Sequence, residues 1–195
     1  MGNGVGVSMK VAFVGAQCSG KTTTFWDVCA YFKKQQVDDF CAIQEVARDC
    51  PYAINSMGSF QTNVWCVTEQ IRREMAAHVK WNHILSDRSV YDELPYYRAL
   101  MSPYYVEKEC ARYHLLYDII HGWVKLAPYD ALFWFRPLPM RADPDRSPNL
   151  KYQQRIDELF ADTLQNVANV HEVAPMPHEK RAKLIIERIG LMQAK

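Results

Sequence analysis

Residues Gly15-Ala16-Gln17-Cys18-Ser19-Gly20-Lys21-Thr22 follow the pattern G-x-x-x-x-G-K-[ST]. That pattern builds a phosphate-binding loop when a strand enters it and a helix leaves it. Both flanks are present. Met9 to Val14 is a short apolar run with β-branched residues, read as a buried strand, and Thr22 to Phe32 has helical spacing. Gly15 and Gly20 allow backbone angles that a Cβ would oppose. Amides from Gly15 through Thr23, with the N-terminus of the following helix, then turn towards an anion. Lys21 is placed to reach the β- and γ-phosphates and Thr22 to ligate Mg²⁺. Such a loop commits the chain to an α/β sandwich with a parallel sheet.

The rest of the chain supplies the other strands. With 195 residues, 49% of them hydrophobic, one domain over 1–195 can bury a sizeable core. Residues 40–45, 83–88, 130–135 and 170–173 read as four more strands, and helices alternate with them. The expected fold is a three-layer sandwich around a five-stranded parallel sheet. Helices are expected over 59–80, 90–101 kinked or split near Pro95, 105–126, from Ser147 as N-cap with Pro148 at the first position, and 177–193. Residues 1–8 read as a loose tail and 136–148 as a Pro-rich lid loop.

Ligands in this architecture bind beyond the carboxyl ends of the strands. Gly15, Glu45, Asp87 and Arg136 all end or follow strands. Asp87 suits the magnesium shell, and Arg88 beside it suits a phosphate or substrate clamp, with a surface ion pair as the alternative. Arg48, three residues after Glu45, is a candidate substrate-binding residue together with Gln61 and Trp65. On the 59–80 helix, Phe60, Val64, Val67, Ile71, Met75 and Val79 share one face, with Gln61, Trp65, Thr68 and Arg72 beside it. Gln61 and Trp65 could hold a planar base; an exposed Gln on an amphipathic helix is equally consistent. The lid loop carries Arg141 and Arg146, placed to close over phosphates, unless it is an ordinary charged surface loop.

Composition narrows the function. A net charge of +1, from 23 basic and 22 acidic residues, provides no general field for nucleic acid or a membrane surface. No transmembrane run is visible, and Gly6 occupies the Ser/Thr position of a myristoylation signal. The six cysteines form no C-x-x-C pair, a reduced, intracellular pattern consistent with the cytoplasm. His114 and His121 have no metal-ligand partner at a suitable step.

At these residues the chain resembles the P-loop nucleoside and nucleotide kinases of the deoxynucleoside kinase and thymidylate kinase branches. Phe60-Gln61-Thr62 looks like their Phe-Gln element, Asp87-Arg88-Ser89 like their Glu-Arg-Ser or Asp-Arg-Tyr, and 149–153 like their lid-to-helix passage. It also resembles ATP-binding P-loop proteins with a Glu-Val-Ala-Arg segment, here Glu45 to Arg48. Cys18 departs from the glycine common at the middle of these loops. The resemblance implies ATP, Mg²⁺ and a nucleoside or nucleotide acceptor, with Glu45 as base, Lys21 and Arg88 on the phosphates, and Gln61 on the acceptor base. A hydroxyl within DNA or RNA, or a nucleotide-dependent NTPase or switch, remains as the alternative. The oligomeric state is open, a homodimer included.

Overall fold

The computed structural model describes residues 9–101, 107–139 and 149–193. The elements run β1 (Met9–Val14), α1 (Lys21–Lys34), β2 (Phe40–Ile43), α2 (Phe60–His78), β3 (His83–Asp87), α3 (Glu93–Leu100), α4 (Glu107–Leu126), β4 (Ala131–Phe135), α5 (Leu150–Leu164), β5 (Val170–Val173) and α6 (His178–Gln193). Short 3-10 turns stand at Val46–Asp49, Asn55–Met57 and Val90–Asp92.

The five strands form one sheet in the order β2-β3-β1-β4-β5, every neighbouring pair parallel. Alternation along β1 divides the core. Val11 and Phe13 face one layer, with Phe25, Val28 and Phe32 of α1 and Ile185 and Ile189 of α6. Ala12 and Val14 face the other, with residues of α2, α3, α4 and α5. This is the expected three-layer sandwich. β1 is buried along its whole length, so the loop after it emerges from the middle of the sheet.

Several local expectations are corrected. Helix α5 starts at Leu150, with Asn149 and not Ser147 as its cap; the Asn149 side chain accepts from Tyr152 N at 3.0 Å. Pro95 does not kink a helix. The break comes earlier, at the turn Val90–Asp92, and Pro95 sits in the first turn of α3, where no backbone donor is needed. Met75 of α2 is 55% exposed and Val79, just past its end, 84%; Glu74 and Ala77 beside Met75 are buried, so Met75 lies on the outward face. Among the described side chains of α4, Leu116 and Ile120 are buried, while Tyr117 is exposed and stacks on His121. Val106, Arg141, Arg146, Ser147 and Pro148 lie outside the described residues, as does the tail 1–8.

Lys10 is a charge in the centre of the sheet. It is 2% exposed and meets the fully buried Glu74 at 2.8 Å. Glu74 also accepts from Gln70 at 2.8 Å, Trp123 at 2.8 Å and Tyr129 at 2.5 Å. A buried ion pair persists only when its remaining hydrogen-bonding capacity is met in this way.

Candidate functional site

The site lies at the carboxyl edge of β1, β2 and β3. The loop 15–20 takes three residues to positive φ: Gly15 at 133°, Cys18 at 58° and Gly20 at 79°. Cys18 therefore adopts the left-handed conformation that a glycine would favour. A Cβ at Gly15 would stand 2.5 Å from the Phe135 carbonyl oxygen, so this turn requires glycine.

Lys21 opens α1 and folds back over the loop. Its Nζ donates to the Gly15 carbonyl at 2.8 Å, the Ala16 carbonyl at 2.6 Å and Ser19 Oγ at 3.1 Å. Burial, with the nearby Arg88 charge, lowers its pKa to about 7 in spite of Asp92, Asp87 and Glu45. Thr22 Oγ1 donates to Asp87 Oδ2 at 2.7 Å. Asp87 Oδ1 is buried and has no partner in the protein. A hydroxyl beside a carboxylate with an unused oxygen is the hard-oxygen donor set that Mg²⁺ prefers. Among the described residues no cluster of three or more His, Cys, Asp or Glu side chains marks another metal centre.

Arg88 is the hub. It takes φ 108°, rare for a residue with a side chain and a conformation that costs about 1–3 kcal/mol unless its surroundings impose it. Its backbone N–H bonds the Phe13 carbonyl at 3.1 Å, holding the turn against β1. Its Nε and Nη2 clasp Glu45 Oε1 at 3.0 and 2.8 Å. Nη1 donates to the Gly15 carbonyl at 2.8 Å and Asp92 Oδ1 at 3.0 Å. Arg48 meets the other Glu45 oxygen at 3.0 Å. Burial pushes the Glu45 carboxyl up, but Arg88, Lys21 and Arg48 more than offset this and hold it at about 2. Glu45 is therefore anionic at neutral pH.

A cavity of about 440 Å³ opens beside this hub. Gln17 and Cys18 of the loop form its near end, Glu45 and Arg88 its floor, and Tyr96 and Tyr152 part of its wall. From α2 it receives Thr62, Asn63, Cys66 and Gln70. Gln61 is exposed and Trp65 half-buried, and neither lines the cavity. The phase of α2 explains this correction. Val67, with Val64 and Ile71, packs into the core, which turns the 63-66-70 face towards Glu45. The capping box of Ser59 and Thr62 fixes where that helix begins.

Glu93, at the start of α3, was not singled out in the sequence. Its Oε2 accepts from Asn63 Nδ2 at 2.7 Å, and burial raises its carboxyl to about 8. Asp92 was also missed, although its spacing of four from Arg88 is a legible ion-pair signal. Arg136 is turned aside. It meets Asp157 at 2.9 Å and lies over the Trp134 ring at 4.5 Å.

Arg181 of α6 is the other unanticipated residue. It is 4% exposed and donates to the Ser19 carbonyl at 2.7 Å. A Cβ on Gly20 would collide with its guanidinium. Gly20→Ala thus strains φ and pushes the Arg181 guanidinium aside, and is expected to lower stability by about 1–2 kcal/mol. Gly122, exposed on α4 with open space at its Cβ position, is the control. Gly122→Ala should be stabilising by about 0.5–1 kcal/mol. Denaturant unfolding of the two variants checks both signs.

The strand-loop-helix unit, its lysine and the Thr22–Asp87 contact define a P-loop protein with the fold of the nucleoside and nucleotide kinases. A model of the AAA domain family matches residues 10–181, and the chain belongs to that family. No curated protein matches it in sequence. Among solved structures it is similar to thymidylate kinase from Ehrlichia chaffeensis, with a TM-score of 0.63 and 14% identity over 93% of this chain and 98% of that one. It is also similar to deoxyadenosine kinase from M. mycoides, with a TM-score of 0.60 and 14% identity over 94% and 100% of the two chains. Among the described residues no helix is long and apolar enough to cross a membrane.

Proposed function

We propose that this protein transfers the γ-phosphate of ATP to a hydroxyl or phosphate of a nucleoside or nucleotide. The observation that carries the reading is the Arg88 bridge. One guanidinium touches the Gly15 carbonyl of the phosphate loop and clasps Glu45 in the adjoining cavity. A donor loop and a carboxylate-floored acceptor cavity thus share one wall, as a two-substrate phosphotransferase requires.

Phosphoryl transfer relies mostly on positioning and charge neutralisation. The loop amides and Lys21 hold the donor phosphates. Lys21 exchanges its bonds to Gly15, Ala16 and Ser19 for phosphate oxygens. Mg²⁺, held by Thr22 with Asp87 close by, would supply neutralising charge at the terminal phosphates. Arg88 adds positive charge at the junction of the two sites. Glu45, kept anionic by its two arginines, accepts the hydrogen bond of the acceptor hydroxyl and then its proton. Arg141 and Arg146 are the lid candidates of this reading. Cytoplasmic residence and a single domain over 1–195 belong to it as well.

The test is a panel of nucleosides, nucleoside monophosphates and short oligonucleotides, incubated with labelled ATP and Mg²⁺. Label transfer to a nucleoside or monophosphate is the expected result. Label on oligonucleotides alone would favour a nucleic-acid kinase. Release of inorganic phosphate with no labelled acceptor would favour an NTPase.

A further inference from the structure

Two buried carboxamides on α2 each leave an oxygen without a partner. Asn63 is 3% exposed and Gln70 1%. Asn63 Nδ2 spends both its hydrogens on Glu93, at 2.7 Å to Oε2 and 3.4 Å to the backbone carbonyl. Gln70 Nε2 spends both on Glu74 Oε1 and Ser86 Oγ, each at 2.8 Å. Asn63 Oδ1 and Gln70 Oε1 have no hydrogen-bond partner. Both residues line the acceptor cavity, with Cys66 between them on the same helical face.

The Gln70 orientation is fixed by its neighbours and not by an arbitrary choice of amide rotamer. Turning Gln70 over would set its oxygen against Glu74, which already takes donors from Lys10, Trp123 and Tyr129. Asn63 Nδ2 also faces the Glu93 backbone carbonyl, which can only accept, although the Glu93 carboxyl, protonated with its pKa at about 8, can bond either end of the amide. Buried polar atoms in folded proteins are almost always paired, so two bare acceptors on one cavity wall call for a ligand that brings donors. The cavity's own charges do not compete. Arg48 and Arg88, the arginines in its lining, are both committed to Glu45.

We infer that Asn63 and Gln70 are specificity residues whose bare carboxamide oxygens select an acceptor carrying an exocyclic amino group or a carboxamide over the analogue with oxygen in that place. A carbonyl oxygen or carboxylate there would face an acceptor with an acceptor. A site built to bond a donor rejects a ligand lacking it far more strongly than an apolar pocket rejects a misfit. This inference rests on the acceptor cavity of the proposed phosphotransferase and names the class of molecule that fills it.

The test uses matched pairs with the wild-type chain: cytidine against uridine, adenosine against inosine, and nicotinamide riboside against nicotinic acid riboside. Label transfer from ATP and calorimetric binding are measured for each. At least one amino- or carboxamide-bearing member (cytidine, adenosine or nicotinamide riboside) should be favoured over its partner by about tenfold or more in kcat/KM. Asn63→Leu should bring that ratio towards unity while the ATP Kd stays within about threefold, the separation a merely structural role would not produce. Equal use of both members of every pair overturns the inference and leaves the kinase reading intact. Preferential binding of the amino- or carboxamide-bearing member without transfer supports the inference and removes the kinase reading. Binding of no nucleoside overturns both.

Discussion

Lys21→Ala is expected to lower phosphoryl transfer by about a hundredfold to a thousandfold or more, the cost of removing one preorganised charge from a transferring group. Single-turnover transfer with labelled ATP measures it. The loss should appear in the chemical step as well as in ATP affinity, because Lys21 is placed for the β- and γ-phosphates and not for the nucleoside part of ATP. The same residue gives a pH signature. Its pKa in the empty protein is about 7. Triphosphate binding places negative charge on it and restores the protonated form. Below pH 7 the charge is already present and affinity is flat on this account. Above pH 7 each binding event takes up a proton, so affinity falls as pH rises, approaching tenfold per unit. Calorimetry in buffers of different ionisation enthalpy reads that proton directly. ATP affinity that is constant from pH 7 to 9 would remove the depressed lysine from the account.

The second large effect is at Glu45. Glu45→Gln keeps the shape and one acceptor oxygen but removes the charge and the base. Transfer is expected to fall by about a hundredfold to ten-thousandfold, with ATP Kd changed by less than about threefold. The pH profile distinguishes this role from simple packing. With its carboxyl held at about 2, Glu45 stays ionised, so the wild-type rate should show no acid limb from this group until well below pH 4. Its ion pair with Arg88 contributes stability present above the ordinary carboxylate range and lost as pH falls towards 2. Full activity in Glu45→Gln would assign the base elsewhere, with the buried Glu93 the next candidate.

What the sequence disclosed follows from how each feature is encoded. The phosphate loop is local: two glycines, a lysine and a threonine at fixed spacing carry the whole geometry. The strands are legible because buried parallel strands are short apolar runs. Asp87 and Glu45 are legible because strand ends converge on one edge. The acceptor wall is not local. Gln61 and Asn63 are two positions apart on one helix, about 200° around its axis, and only packing against the sheet decides which faces the cavity. Arg181 reads as one more cation in the first turn of an amphipathic helix, and its burial under Ser19 depends on α6 packing on α1. Asn149 supplanted Ser147 because a cap is decided by where the helix meets its neighbours, and Gln153 of α5 is tied to the Gln17 carbonyl at 2.8 Å.

The Arg88 guanidinium bears on how the two ligands affect each other. It is one rigid plane, and its nitrogens contact both the phosphate loop and the acceptor carboxylate. Phosphate arriving at the loop draws on the same charge that steadies Glu45, and a hydroxyl seated on Glu45 shifts the charge available to the loop. Thermodynamic reciprocity then makes any influence of ATP on acceptor affinity equal to that of the acceptor on ATP affinity. Substrate synergy in this protein would thus be a property of one side chain, with no movement of domains required.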